Sequence, residues 1–482
     1  MSADKQYYVA PANPAGRNLL LKLQSSGTEV LGIIDNLKSG PEITSLHLPL
    51  GLQHRVVVAA GAFQAGVVSG LVQRGVPVGA IFLQTEADSL TFRPCRHLGV
   101  MKFLLKNSLQ QLVAKTCSKL LAKSFFIYYA EDFVDTNLLL QFRYHQRQEP
   151  GQALLLCRNI SRQPDLPHWG KVILVTSDWQ LCWYLARAKV VVLDHEYPGG
   201  WLAQFRPYLK IVQLWHGLPY KYISGNRHLL PQPDACFVSS SLWYNQQVFP
   251  ALFNAQHYLA LGYSRNDVFV TDAQDIDWCN TVPQAVLDEI QASTGPLWLY
   301  MPTYRDNESE LQLELCRIET LCAQYQRSFV LKLHPFISRR LARQFAVEDE
   351  MHAVIPLPGF AHIYLYPSGM NIYPWLAHSE ALITDYSSVV SDYLLHTGAI
   401  FLYQYDRATY KDARGAFLVA DEYFTAGPVA SDTTELCLLL AEFAEHGDRW
   451  QPIRQALRKQ LQLTDTPAAP AILDHIRQLG SN

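Results

Sequence analysis

The residues best placed to do chemistry stand where short apolar runs break off. The run Ala381 to Ile383 gives way to Thr384, Asp385, Tyr386, Ser387 and Ser388, after which apolar residues recur at helical spacing: Val389, Val390, Tyr393, Leu394. A buried strand that turns at once into a helix capped by Ser and Asp leaves backbone N–H groups pointing outward, and such a helix start attracts phosphate. Ser387 and Ser388 add two uncharged donors; the plainer reading makes one of them an N-cap only. Arg305 follows the run Leu297 to Met301, and Lys332 and His334 close the run Phe329 to Leu333. Lys332 ranks below His334, because alternation along a strand can turn it away. Three strand ends in one sheet, each with a cation or a donor, describe a polyanion site. His216 follows the run Lys210 to Leu214 and precedes Gly217 and Pro219. An imidazole at a strand's carboxyl end is positioned for proton transfer; the alternative is a structural histidine.

Parallel sheets must carry these ends. From Phe125 to about Leu261 the pattern predicts strands at Phe125–Ala130, Ala153–Cys157, Val172–Thr176, Val190–Asp194, Lys210–Leu214 and Ala235–Ser239, with helical spacing between them, as at Gln180 to Ala188. Ligands of such sheets sit beyond the strands' carboxyl ends, and His216 is expected at the end of the last strand of its sheet. A stretch rich in Asp, Gln and Thr from Asp272 to about Gly295 reads as a linker. The rhythm restarts at Leu297–Met301, with further strands at Phe329–Leu333, Val354–Leu357, the Ala381 run and Ala399–Tyr403.

Residues 1–95 form a smaller series, with strands at Gln6–Ala10, Glu29–Asp35, Arg55–Ala60 and Val76–Leu83. Asp35 stands where a dinucleotide fold holds a ribose hydroxyl. The first turn, Ala10 to Gly16, lacks Gly-x-Gly-x-x-Gly, and Pro11 and Pro14 remove donors a pyrophosphate would use. A structural or sensing role is expected there, with no cofactor. Arg93 to Lys123 is basic and helical: Lys102, Lys106, Lys115, Lys119 and Lys123 occur with no Asp or Glu between Asp88 and Glu131. Such a helix lies on a membrane surface or turns a solvated face outward.

The 482 residues exceed one ordinary core, and 49% hydrophobic with 17% charged residues is a globular composition. A net charge of −3 gives no global attraction to nucleic acid, which is not expected as a partner. The nine cysteines show no Cys-x-x-Cys pair, which argues against a disulfide or zinc scaffold and fits a reducing compartment. With no signal-peptide pattern and no run able to span a bilayer, the expected location is cytoplasmic, with peripheral attachment to the inner face of the cell membrane through residues 96–124.

The motifs Trp215-His-Gly217 with Pro219 and Lys221, Gly262 with Arg265-Asn-Asp267, Pro302-Thr-Tyr-Arg305, Lys332-Leu-His-Pro335, Thr384-Asp-Tyr-Ser-Ser388 with Asp392-Tyr393, and Arg414-Gly415 occur in this order. The set resembles the family of glycerol- and ribitol-phosphate transferases that build teichoic-acid-type polymers, from about Phe125 to the C-terminus. The resemblance implies an α/β, GT-B fold: two Rossmann-like domains facing across a cleft, residues 125–290 for the acceptor and 291–482 for the donor. Residues 1–95, a Rossmann-like accessory half-domain, and the linker 96–124 lie outside it. The implied donor is CDP-glycerol or CDP-ribitol, the acceptor a lipid-linked or soluble glycan, and the product a teichoic-acid-like, capsule or O-antigen polymer. His216 is then the general base, and Arg305, His334, Ser387 and Ser388 hold the phosphate charge. Asp385 is expected on a ribose hydroxyl, on His334 or as a local cap. Thr384 belongs to the same donor loop, and Lys221 and Arg265 steer an anionic acceptor. No Asp-x-Asp ligand set stands at a strand end, so no metal is expected. Two rivals remain: a GT-B glycosyltransferase using a nucleotide sugar, and a non-enzymatic nucleotide-sensing scaffold.

Overall fold

The structure, a computed structural model, describes residues 6–11, 14–34, 54–59, 64–73, 76–86, 89–95, 97–130, 136–158, 170–195, 200–221, 234–271, 276, 281–303, 305, 311–347, 353–414 and 417–481. The chain divides into two compact units, Met1–Lys119 with 228–231, and Leu120–Asn482 without 228–231.

The first unit holds strands β1 (Gln6–Ala10), β2 (Val30–Ile33), β3 (His54–Val58), β4 (Ile81–Gln84) and β5 (Phe92–Pro94). They lie in the order β2-β1-β3-β4-β5, parallel except for β5. The predicted strand Val76–Leu83 is shorter, because Val78–Ala80 makes a 3-10 turn ahead of β4. A Cβ at Gly16 would lie 1.8 Å from the carbonyl oxygen of Pro11, so only glycine fits at that position. Asp35 lies outside the described residues.

The second unit contains two seven-stranded sheets. The first comprises β6 (Phe125–Ala130), β7 (Ala153–Cys157), β8 (Val172–Leu174), β9 (Ala188–Leu193), β10 (Ile211–Gln213), β11 (Asp234–Ser239) and β12 (Ala255–Ala260), all parallel, in the order β12-β11-β10-β9-β6-β7-β8. The strand that leads to His216 is therefore interior, not the last of its sheet. Pattern reading missed β12 because Ala-Gln-His-Tyr-Leu-Ala is an exposed edge and carries no continuous apolar run.

The second sheet comprises β13 (Leu297–Met301), β14 (Ser328–Leu331), β15 (Ile355–Pro356), β16 (Ile363–Leu365), β17 (Ser379–Thr384), β18 (Ala399–Tyr403) and β19 (Val429–Ala430), in the order β15-β16-β14-β13-β17-β18-β19. Only β15 runs antiparallel. In each sheet the strand order reverses beside the first strand, between β6 and β9 and between β13 and β17. Open α/β sheets bind their ligands at that reversal.

The interior strands β6, β7, β9, β13, β14 and β18 are near-continuous apolar runs, as strands covered on two faces must be. One buried cluster joins the two halves, packing Tyr220, Phe249 and Tyr263 with Tyr373, Tyr386 and Phe424. The expected linker contains a helix, Gln284–Thr294, whose Leu287 and Ile290 enter this cluster. The last helix, Ala468–Ser481, returns to the first sheet through Ala468, Ile472 and Ile476, so the segment 291–482 is not confined to the second sheet.

Candidate active site

Strand register brings the first rim together. Leu193 of β9 pairs with Gln213 of β10, so Asp194-His195 and Leu214-Trp215-His216 leave the sheet side by side. Buried Gln213 ties the two exits: its Nε2 donates to His195 O at 2.7 Å, and its Oε1 accepts from Trp215 N at 3.0 Å. Trp215 sits at φ 52°, a left-handed conformation that costs a bulky residue about 1–3 kcal/mol. Packing against Phe253 (ring centroids 4.5 Å apart) and a bond from Asn137 Nδ2 to Trp215 O (3.1 Å) hold it there. This turn sets the His216 ring between Trp215 at 4.1 Å and His195 at 4.7 Å, with Nδ1 2.9 Å from Asp194 O. Since a carbonyl only accepts, Nδ1 carries the proton and Nε2 keeps its lone pair. That is the tautomer a general base needs.

The second rim is built from charge pairs. Met301 of β13 pairs with Thr384 of β17, so the segments leading to Arg305 and Asp385 emerge level with each other. Asp385, 1% exposed, accepts from Thr303 N (2.9 and 3.0 Å), Tyr386 N (2.5 Å) and Arg305 Nη1. Arg305 also donates to Asp406 from Nε (3.0 Å) and Nη2 (3.1 Å), and its guanidinium lies over Tyr386, Tyr405 and Tyr410. Burial opposes its charge, but the Asp406 and Asp385 carboxylates outweigh burial and hold it above the ordinary arginine range.

Arg305 is thus not presented as an open cation for phosphate, contrary to expectation: two carboxylates engage its fork. Asp385 organises the loop through Thr303 N and Arg305; its bond from Tyr386 N reaches only the next residue and does not cap the helix, which begins at Val389. Thr384 Oγ1 donates to Met301 O at 2.6 Å, a sheet contact. Lys332 also departs from expectation. Its Nζ donates to the carbonyls of Pro367 (2.8 Å), Ser368 (3.1 Å) and Met370 (2.8 Å) and so props that loop. Burial pushes the ammonium pKa down to about 7, while the three carbonyls favour its charged form.

His334 caps the helix Pro335–Gln344, its Nδ1 accepting from Phe336 N at 3.4 Å. Burial lowers its pKa, and since Nδ1 accepts, the neutral ring carries its proton on Nε2. With Thr303, Arg305, Leu333 and Tyr405 it lines a shallow, partly open pocket. Thr303 Oγ1 is buried and has no hydrogen-bond partner among the described residues. A buried hydroxyl without a partner suits a ligand oxygen.

The two rims meet. Gly217, at φ 139°, passes so close to the other half that a Cβ would lie 2.6 Å from Ser388 Oγ and 3.2 Å from Arg265 Nη2. Only glycine fits there. Arg265, 5% exposed, bridges the halves: Nη2 donates to His216 O (2.9 Å) and to Asp392 Oδ2 (2.8 Å). Asn266 Nδ2 and Tyr373 OH donate to the same carboxylate. Arg265 is therefore a buried strut rather than a surface cation steering an acceptor. Lys221 forms a backbone bridge with Phe417, and Tyr220 stacks on Phe417 at 4.2 Å and Phe424 at 3.9 Å. The helix after Ser387 and Ser388 is only Val389–Tyr393, so its dipole is weaker than a full helix would supply. Ser387 Oγ accepts from Val389 N at 3.4 Å, a capping contact. The side chain of Arg414 and all of Gly415 lie outside the described residues. Asp194, His195 and Asp406 were missed by the motif search. The rule that found His216, a histidine just past a strand's carboxyl end, applies equally to His195.

Two Rossmann-like sheets whose reversal points share one rim define the GT-B class of transferase folds. Within it, the chain belongs to the CDP-Glycerol:Poly(glycerophosphate) glycerophosphotransferase family, which it matches over residues 121–478. A teichoic acid glycerol-phosphate transferase of Staphylococcus aureus is 24% identical over 417 residues, covering 77% of this chain and 100% of the transferase. A teichoic acid poly(glycerol phosphate) polymerase of Staphylococcus epidermidis is 27% identical over 242 residues, 43% of this chain but only 30% of the polymerase. The structure of the wall teichoic acid polymerase TagF superposes with a TM-score of 0.59 at 20% identity, covering 78% of this chain and 97% of that one. It shares the fold.

Proposed function

We propose that this chain transfers glycerol phosphate, or ribitol phosphate, from a CDP-polyol to a hydroxyl of a glycan or polyol-phosphate acceptor and releases CMP, in synthesis of a teichoic-acid-like polymer. The observation that carries this reading is the His216 ring, held by Asp194 O with Nε2 left as acceptor, on a loop that touches Ser388 of the opposite half. His216 Nε2 takes the acceptor's hydroxyl proton as that oxygen bonds to the β-phosphorus. The phosphorus–oxygen bond to CMP breaks, and CMP leaves with the electron pair. His334 Nε2–H, Thr303 Oγ1 and the serine hydroxyls supply neutral donors to the phosphate oxygens. In this reading no metal is required, and Arg305 and Asp385 act by fixing the donor loop.

Mass spectrometry of products from CDP-glycerol and CDP-ribitol with glycan and polyol-phosphate acceptors tests the reading, with chelator in a parallel arm. A polyol-phosphate adduct with CMP, unchanged by chelator, is expected. Transfer of sugar from a nucleotide sugar instead would overturn it.

For the membrane, the helix His97–Leu120 supports the finer reading. Leu105, Leu109 and Leu112 share one face and are about 60% exposed, while Ala114 opposite is buried. Lys106, Lys115 and Lys119 flank the stripe and are exposed. An apolar stripe edged by lysines fits an anionic lipid surface. No helix among the described residues is long and apolar enough to cross a membrane. Co-sedimentation with phosphatidylglycerol vesicles should be lost in Leu109→Glu; retention would remove this role.

A further inference from the structure

We propose that Trp179 is a sugar-binding platform for the acceptor: its exposed indole stacks against a pyranose ring of a neutral glycan at the rim that carries His216. This rests on the reading of His216 as the base that takes the acceptor's proton.

The platform is built from two helix starts at one sheet edge. The helix Asp178–Ala186 begins just past β8, and Ser177 caps it through Gln180 N, so Trp179 lies in a first turn at the carboxyl edge of the sheet. Trp201 opens the helix Gly200–Phe205, which follows β9 past Asp194-His195. The neighbour of β9 is β10, whose exit carries His216. The two indoles meet with centroids 6.0 Å apart and planes at 43°. Trp201 in turn leans on buried Phe205, centroids 6.4 Å apart. Trp179 thus has firm backing on one side and is still 70% exposed. Core packing does not explain a large aromatic left open at the edge where such sheets bind ligands.

The surroundings select the occupant. The helix Asp178–Ala186 contains no Lys or Arg, and its one charge is Asp178. The Asp178 carboxylate accepts from Arg158 Nη2 at 2.7 Å, and the two side chains are 55% and 31% exposed. The pair carries no net charge, and both members reach solvent, where a carboxylate accepts from and a guanidinium donates to sugar hydroxyls. A polyol-phosphate chain or an anionic lipid finds no surplus cation on this helix, unlike on the lysine-edged helix His97–Leu120. A pyranose offers a face of C–H groups for the negative face of the indole and a rim of hydroxyls for the ion pair. Trp183, one turn later, is 49% exposed, but the Arg187 guanidinium lies over its ring at 5.0 Å and is held there by a bond from Nη2 to Ser124 Oγ (3.0 Å). That ring is already stacked, and Trp179 is the one left open.

The test is saturation-transfer NMR on the full-length protein with methyl β-glucoside, methyl β-galactoside and methyl β-N-acetylglucosaminide, and with glycerol 3-phosphate as the anionic control. At least one glycoside should receive saturation, most strongly at the axial ring hydrogens of one face. Trp179→Ala should weaken that binding by about tenfold or more, Trp179→Phe should retain part of it, and Trp183→Ala should leave it in place. Any signal from glycerol 3-phosphate should not depend on Trp179. No transfer to any of the three glycosides, or equal transfer in Trp179→Ala, overturns the proposal. So does loss of co-sedimentation with phosphatidylglycerol vesicles in Trp179→Ala, which would make the indole a lipid anchor. Glycoside binding through Trp179 in a protein that releases no CMP from CDP-polyols would leave the platform standing and sink the assigned reaction instead.

Discussion

The two reversal points of the second unit are built in opposite ways. At the first, between β6 and β9, an imidazole is held by one carbonyl and two ring faces, and the atom that would react keeps its lone pair. At the second, between β13 and β17, Arg305 is held by two carboxylates and surrounded by tyrosines. In the proposed reaction the first rim presents the base, while the second fixes a loop beside a pocket. The difference teaches that a charged residue at a strand end is not always a ligand grip. Where two such ends lie adjacent, the charges can satisfy each other and leave the binding to hydroxyls and neutral rings.

This contrast should break in a graded way. Removing one partner of the second rim's buried pair, by Arg305→Met, leaves two carboxylates unanswered and should cost about 3–5 kcal/mol in denaturant unfolding. His216→Ala, at the first rim, should cost far less stability; equal losses at both rims would erase the distinction. Arg265→Met removes the bonds to His216 O and Asp392 and should reduce CMP release by roughly tenfold or more, since it strands the buried Asp392 carboxylate and loosens the base. A variant with full turnover would show that the strut does not position His216. Thr303→Val, isosteric but without the hydroxyl, should raise the donor KM by about tenfold with kcat less affected. An unchanged KM would remove Thr303 from the pocket's donors.

The smallest effect concerns pH. Burial lowers the His396 pKa, and its Nδ1 accepts from Gly398 N at 3.0 Å. The unfolded chain therefore binds this proton more readily, so the stabilising contribution is complete above pH ~6.5 and lost as pH falls toward and through the folded-state value. His396→Asn keeps an acceptor without a titrating ring. Its melting temperature should fall less between pH 7 and pH 5 than that of the wild type, and parallel curves would contradict the assignment.

The strand ends were legible because an apolar run followed by a polar break is a local pattern. The strands Gln6–Ala10, Phe125–Ala130 and Ala153–Cys157 were read to the residue. The partners of the charges were not legible. Asp385 and Asp406 lie 80 and 101 residues beyond Arg305, and only the strand order β14-β13-β17-β18 brings their loops to it. The same holds for Lys332, whose carbonyl acceptors begin 35 residues later. Arg265 looked like a surface cation because its carboxylate, Asp392, belongs to the other half. Sequence shows which groups can carry charge; topology decides which of them remain available to a ligand.

The most direct test of the central claim, that Nε2 of His216 is the proton acceptor, is the variant His216→Asn. Its amide nitrogen can keep the bond to Asp194 O while Nε2 is deleted. Isothermal titration should show CDP-glycerol binding close to wild type, with CMP release lowered by about 10²–10⁴-fold. Turnover at the wild-type rate in a variant that still binds the donor would contradict the account.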